Sequence, residues 1–237
     1  METRDSRTAM LIGREALDRL KSLRVAIFGI GGVGGFALEA LYRAGVGEFL
    51  LVDSDRVSES NLNRQIIATE QTVGRYKTDV AKERVLSINS TAKVETRAEF
   101  FSPENAESFD LSSFDYIIDA IDSLPSKIEL IVRAKAAGVR IISAMGAGNK
   151  LDPTRFEVSD ISKTTVCPLA RAVRIGLRKR GVDHLKVVYS KENPVRVFGE
   201  GEVRAPASIS FVPSAMGLII GGEVIKDIAF SEVSSED

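Results

Sequence analysis

The stretch Arg24-Val-Ala-Ile-Phe28-Gly29-Ile-Gly31-Gly32-Val-Gly34 governs the reading of the whole chain. An apolar run, Val25 to Phe28, enters a Gly-x-Gly-x-x-Gly turn, a helix-length segment continues to Ala44, and a second apolar run follows from Phe49 to Val52. That order reads as strand, helix, strand. Glycines at such a turn let the backbone approach a phosphate, while the start of the following helix offers free N–H groups and a partial positive charge. Asp53 closes the second strand about 20 residues on, where an acid catches a ribose hydroxyl. The same physics serves a nicotinamide dinucleotide or any other adenine nucleotide, so both stay open here.

Outward from that unit the pattern repeats. A helix is expected from Lys77 to Ile88, strands at Lys93 to Thr96 and Tyr116 to Ile118, a helix from Pro125 to Ala137, and a strand from Val139 to Ser143. Parallel strands need long crossovers, which usually become helices, so the expected fold is α/β and Rossmann-like, a mostly parallel sheet with helices on both faces. Beyond Gly146 strands at Arg155 to Val158 and Val187 to Tyr189 flank an Arg- and Lys-rich helix, giving a smaller C-terminal α+β extension. Residues 1–150 are thus read as a nucleotide-binding core with an N-terminal arm, and residues 151–237 as an extension packed on the same domain. The Pro- and Gly-containing stretch from Ser190 to Ser208 is expected to be a mobile loop, and the Ser, Glu and Asp ending a frayed tail.

The chain has 237 residues, 44% hydrophobic and 27% charged, which suits one ordinary globular core and excludes disorder as the whole account. A formal net charge of −1 leaves no global basic field, so any contact with RNA has to come from a local patch. One cysteine, Cys167, permits neither an internal disulfide nor a thiolate zinc site. The first residues carry charges throughout, unlike a secretory leader, and the most apolar late stretch, Ala215 to Gly222, falls far short of a bilayer span and reads as a buried helix. A cytoplasmic location is expected.

The residues after Asp53 bear on the choice of nucleotide. Arg64 and Lys77 follow the ribose-binding strand, and cations there suit a triphosphate better than hydride transfer. In order and spacing, Gly29-Ile-Gly31-Gly32-Val-Gly34, Asp53-Ser-Asp55, Ser60-Asn-Leu-Asn-Arg64-Gln65, Val73-Gly74 with Lys77, and Asp119-Ala-Ile-Asp122 resemble the adenylating domain of the ubiquitin-activating-like superfamily that includes MoeB, ThiF and HesA. Gly146-Ala-Gly-Asn-Lys-Leu-Asp-Pro-Thr-Arg-Phe-Glu-Val, Asp160 with Lys163 and Thr164, and Cys167-Pro-Leu-Ala are similar to the branch of tRNA threonylcarbamoyladenosine dehydratases.

The resemblance implies that a carboxylate attacks the α-phosphate of ATP to give an acyl-adenylate and pyrophosphate. It assigns the phosphates to Gly29, Gly31, Gly32 and Gly34, the ribose to Asp53 with Asp55 beside it, and the developing phosphate charge to Arg64 and Lys77. It makes Asp122 a magnesium ligand and lines the same pocket with Asn61, Asn63 and Gln65. Arg7, in Arg7-Thr-Ala-Met-Leu-Ile-Gly13, is similar to an arginine that relatives insert into the neighbouring subunit's ATP site, which implies a homodimer. The implied substrate is tRNA carrying threonylcarbamoyladenosine, whose own carbamoyl oxygen closes an oxazolone ring, so no enzyme thiol is needed and Cys167 reads as a buried or loop residue, with a thiol role as the rival reading. Arg171, Arg174 and Arg178 share a helix face by spacing, joined by Lys179, Arg180 and Lys186, either as a track for tRNA phosphates or as a solvated face. A small sulfur-carrier protein as the activated partner, a nicotinamide-dependent oxidoreductase and a silent nucleotide-binding scaffold remain as rival readings.

Overall fold

A computed structural model describes residues 3–198 and 206–231. The glycines Gly199 and Gly201 of the expected mobile loop and the acidic tail from 232 onward lie outside the described residues.

Two short helices, α1 (Ser6–Ile12) and α2 (Arg14–Ser22), precede the first strand. They are hinged at Gly13, whose φ of 85° lies in a region that a side chain disfavours. Then come β1 (Arg24–Phe28), α3 (Gly34–Arg43), β2 (Glu48–Val52), α4 (Lys77–Ile88) and β3 (Lys93–Arg97). The chain continues through β4 (Tyr116–Asp119), α5 (Leu124–Ala136), β5 (Arg140–Ala144), β6 (Phe156–Asp160), α6 (Pro168–Arg178), β7 (Lys186–Ser190) and α7 (Phe211–Ala229). The strands form one seven-stranded sheet in the order β3-β2-β1-β4-β5-β7-β6. All neighbours are parallel except β6, which runs antiparallel to β7 at the edge. The two strands of the C-terminal extension therefore lengthen the nucleotide-binding sheet.

Both faces are covered, as continuous apolar strands require. Val25 and Ile27 pack on one side among Leu38, Leu41, Met216 and Ile220 of α3 and α7, while Ala26 and Phe28 pack on the other among Leu130, Ile131, Val173 and Leu177 of α5 and α6. The register aligns Phe28 with Val52 on one side and with Asp119 on the other, so β1, β2 and β4 end together. Strand order reverses between β1 and β4, and an open sheet has a crevice beyond the strand ends at that point.

Helix α7 begins ahead of the apolar stretch read from sequence and lies alongside α3 in the same direction. Its Pro213 meets Gly32, Gly217 meets Val33 and Phe36, and Gly221 meets Ala37 and Ala40. A Cβ at Gly217 would stand 2.3 Å from the Val33 carbonyl oxygen, and none of that backbone can swing aside. At Gly222, one position past Gly221, a Cβ meets nothing within 4 Å. Among the described residues no helix is long and apolar enough to cross a membrane.

Gly217→Ala is expected to lower unfolding stability by about 2 kcal/mol through overpacking against α3. Gly222→Ala is expected to be neutral or to stabilise by a few tenths to about 1 kcal/mol through helix propensity. Urea denaturation of the two variants compared with the parent checks the contrast.

Candidate active site

The crevice is a cleft of ≈ 330 Å³ beyond the ends of β1, β2 and β4. The glycine turn makes one wall. Gly29, with φ 91°, donates its N–H to the Val52 carbonyl at 2.8 Å, and a Cβ there would sit 2.6 Å from the Ala120 carbonyl oxygen. Gly31 has nothing within 4 Å of a built Cβ except the Gln65 amide, so its backbone is bare toward the cleft it lines. Gly34 is different: it lies buried under the turn, where a Cβ would be 1.8 Å from the Gly29 carbonyl oxygen, and it does not line the cleft. Its place is in the close packing of helix on strand, and of the four glycines expected at phosphate only Gly29, Gly31 and Gly32 line the cleft.

Asp53 sits at the end of β2. One carboxylate oxygen accepts the Ile30 N–H at 2.6 Å and the other the Asp55 N–H at 2.8 Å, which ties the glycine turn to the next strand. Each oxygen keeps a second lone pair for a ribose hydroxyl. Burial pushes the Asp53 carboxyl above its ordinary range, against the pull of Lys77 and the two N–H groups.

Lys77 opens α4 and is buried, with Nζ 2.7 Å from Asp55 Oδ2. It reaches the cleft because residues 55–57 pair with 74–77: Val57 N–H donates to the Arg75 carbonyl, Gly74 N–H to that of Val57, and Lys77 N–H to that of Asp55. Asn61 is buried and accepts the Ser58 N–H at 3.1 Å, closing the turn that carries Arg64. Arg64 uses Nη1 to hold the Ser60 carbonyl and Asn63 Oδ1, both at 2.8 Å, and lines the cleft with Asn61 and Gln65. Gln65 Oε1 is buried without a hydrogen-bond partner, and an orphaned polar atom in a cleft is what a bound ligand would satisfy.

Three expected residues stand elsewhere. Asn63 does not line the cleft; its Nδ2 donates to the Ser208 carbonyl at 3.0 Å, so it buttresses Arg64 and fastens the segment that leads into α7. Arg7 is exposed on α1 and does not line the cleft of its own chain. Arg174 faces inward, its Nη1 donating to the carbonyls of Ile161 and Thr164 at 3.1 and 3.0 Å, so it staples a loop and is withdrawn from the expected basic track. Cys167 is buried at the start of α6, its Sγ 3.6 Å from a Cβ built on Gly146.

Asp122 lines the cleft from the loop after β4, exposed, with no hydrogen bond or ion pair among the described residues. The described residues contain no group of three or more His, Cys, Asp or Glu placed to hold a metal ion. One free carboxylate beside a phosphate cradle nevertheless suits magnesium, which keeps several waters and takes one or two carboxylates plus phosphate oxygens.

Ser54 and Ile121, carried in the motifs without a role, also line the cleft, as do Glu99, Phe100 and Phe101, which escaped the sequence reading. The available signal was the aromatic pair just past the carboxyl end of β3, beside the expected ribose acid. Phe101 is buried edge-on against Phe28 and Phe109, with ring centroids 5.1 and 5.2 Å away, whereas Phe100 is 54% exposed and offers its ring to the cleft.

The tRNA threonylcarbamoyladenosine dehydratase of Bacillus subtilis is 43% identical over 237 residues, covering 94% of this chain and 93% of that protein. The crystal structure of the E. coli dehydratase in complex with ATP matches with a TM-score of 0.89 and 31% identity, over 99% of this chain and 96% of that one. Its complex with AMP matches with a TM-score of 0.90 and 32% identity, over 97% and 95%. The ThiF family model spans residues 5–234, and with the glycine turn, ribose acid and paired cations gathered on one cleft, the chain belongs to the ThiF family.

Proposed function

We propose that this chain is an ATP-dependent tRNA threonylcarbamoyladenosine dehydratase. The observation that carries this is the convergence on one cleft of Gly29, Gly31, Gly32, Asp53, Arg64, Lys77 and Asp122, in a chain 43% identical along most of its length to a relative of that name. The threonyl carboxylate oxygen attacks the α-phosphorus of ATP, and pyrophosphate leaves. The carbamoyl oxygen then attacks the activated acyl carbon, the carbamoyl nitrogen gives up a proton, AMP leaves, and the oxazolone ring is closed.

Most of the protein's task is positioning and charge neutralisation. The glycine turn and the start of α3 receive phosphate, and Asp53 holds the ribose. Lys77 sits between the Asp55 carboxylate and the phosphates, so its ammonium can share its donors with the charge that builds on the α-phosphate. Arg64 has Nη1 committed to the protein and its other donors without protein partners among the described residues, which leaves them for the departing pyrophosphate. Magnesium, when held by Asp122 and phosphate oxygens, would neutralise part of the same charge. Ring closure is intramolecular, so the buried Cys167 has no required part in it.

Two copies work together in this reading, each Arg7 entering the other's cleft. The helix that carries Arg7 also exposes Met10 and Leu11, 86% and 84% accessible, an apolar surface that a second subunit would cover. Arg171, Arg178 and Lys179 remain exposed for tRNA phosphates, whereas Arg180 is paired with Glu129 and Lys186 with Glu223 and Asp227. The proposed substrate sets its work in the cytoplasm.

Lys77→Ala and Asp122→Ala are each expected to cost about 3 kcal/mol in the adenylation step, read as pyrophosphate release with modified tRNA. Unmodified tRNA or a carrier protein with a Gly-Gly tail should release none; release with the carrier alone would move the assignment to carrier activation. Phe100→Ala should weaken ATP binding by about 1 kcal/mol or more through lost contact with the adenine face, with unfolding unchanged, because the ring is half exposed. Arg7→Ala and Lys77→Ala should each be inactive alone, and equal mixtures after subunit exchange should regain about a quarter of the parent rate, since half the dimers then hold one complete site. No recovery would refute the trans arginine.

A further inference from the structure

Beneath the loop that carries Asp122 lies a lysine that the proposed chemistry does not touch. Lys127, on the first turns of α5, is fully buried, as is its partner Asp119 at the end of β4. Its Nζ donates to Asp119 Oδ2 at 2.8 Å, to the Ala144 carbonyl at 3.0 Å and to Ser143 Oγ at 3.3 Å, so all three ammonium protons are used. Ser143 also donates its hydroxyl to Asp119 Oδ2. The remaining carboxylate oxygen, Oδ1, accepts the Ile121 N–H at 3.1 Å. One dry ion pair thus joins β4, α5 and β5 and ends on the backbone of the residue before Asp122.

Taking both charges out of water costs several kcal/mol per ion, and an apolar pair of similar volume usually serves stability as well. The arrangement is therefore poorly explained by stability alone. It is well suited to holding geometry: Lys127 and Ser143 fix one oxygen of Asp119, and only a fixed Asp119 holds the Ile121 N–H with the other. Ala120, on the same loop, is held in turn by its N–H to the Phe28 carbonyl at 2.8 Å and by the close approach of its own carbonyl to Gly29. The loop that aims Asp122 is registered against the glycine turn, and Lys127 closes that register from below.

We propose that Lys127 is a positioning residue: through Asp119 and the Ile121 N–H it sets the Asp122 carboxylate at the place where it shares magnesium with the ATP phosphates. This rests on the reading of Asp122 as the metal ligand. The test measures binding of the α,β-methylene analogue of ATP by calorimetry, with and without magnesium. In the parent protein magnesium should tighten the analogue. Lys127→Met should lose about tenfold of that gain, the scale seen when an outer hydrogen-bond partner of a metal ligand is removed, while metal-free affinity stays within about twofold. Asp122→Asn, run alongside, should lose the gain too. If Asp122→Asn keeps it, the metal-ligand reading fails; if Asp122→Asn loses it and folded Lys127→Met keeps it, the positioning role fails and the metal reading stands. Should Lys127→Met not fold, the paired Asp119→Leu, Lys127→Met variant removes both buried charges yet still deprives the Ile121 N–H of its acceptor. Loss of the magnesium gain in that variant supports the proposal, and retention overturns it.

Discussion

The approach of Gly34 to the carbonyl of Gly29 is the constraint on which the rest of the molecule depends. Any side chain at position 34 would place an atom 1.8 Å from that oxygen, so the turn closes only around glycine. Because it closes, α3 starts within a few residues of the end of β1, and the turn residues that lead into it, Gly31, Gly32 and Val33, line the cleft. Because α3 is held that close to the sheet, α7 can lie in the groove beside it, and Gly217 and Gly221 keep the two helices nearly in backbone contact. The cleft wall and the packing of one face of the sheet are thus consequences of a single steric exclusion.

Two lysine–aspartate pairs flank the cleft and do opposite things with the same chemistry. In the Lys77–Asp55 pair the ammonium is nearly buried while the carboxylate is 66% exposed, so water or phosphate can replace the acid as the lysine's partner at small cost. In the Lys127–Asp119 pair neither side chain is exposed at all. There the interaction is strong because the surroundings are poorly polarisable, and no outside anion can compete for the ammonium. A cation meant to move between partners belongs at the rim, and one meant to hold a loop still belongs in the interior. Glu39 on the far side of α3 lies between the two patterns, nearly buried but paired with the partly exposed Arg84 and Arg43: burial raises its carboxyl, yet the hydrogen bonds from Arg84, Tyr42 and Arg43 prevail and hold it below the usual range.

What could be read from sequence was what short-range physics determines. The strands β1, β2, β4 and β5 are continuous apolar runs buried on both faces, and each lies within a residue or two of its expected place. The glycine turn, Asp53, Arg64 and Lys77 were legible for the same reason, since strand, turn and helix start lie close together along the chain. Helices α1 and α2 were not: α1 buries no residue, and the stripe of Ala16, Leu17 and Leu20 that α2 buries spans little more than one turn of a short charged segment. Arg174 misled because a cation at a helical position reads as exposed or as a ligand contact, and Lys127 gave no signal at all; only the fold shows the carbonyls and the carboxylate waiting for them on neighbouring segments.

The same distinction separates the two ends of the cleft. Its nucleotide end is built from residues adjacent in the chain and hydrogen-bonded across neighbouring strands. Its other flank is assembled from contacts across more than a hundred residues of sequence, where Asn63 holds the Ser208 carbonyl and Pro213 rests on Gly32. Asn149, in the left-handed region with φ 57°, exchanges two hydrogen bonds with Ala207 and accepts one from the Val195 N–H, bringing both sides of the crossover segment to one point. Left-handed backbone is more accessible to asparagine than to most other side-chain-bearing residues, because its short amide can bond locally and offset the strain. A nucleotide recognised by the first end can be inferred from a few neighbouring residues. The second exists only once the chain has folded back on itself, so it can be read only from tertiary contacts such as these.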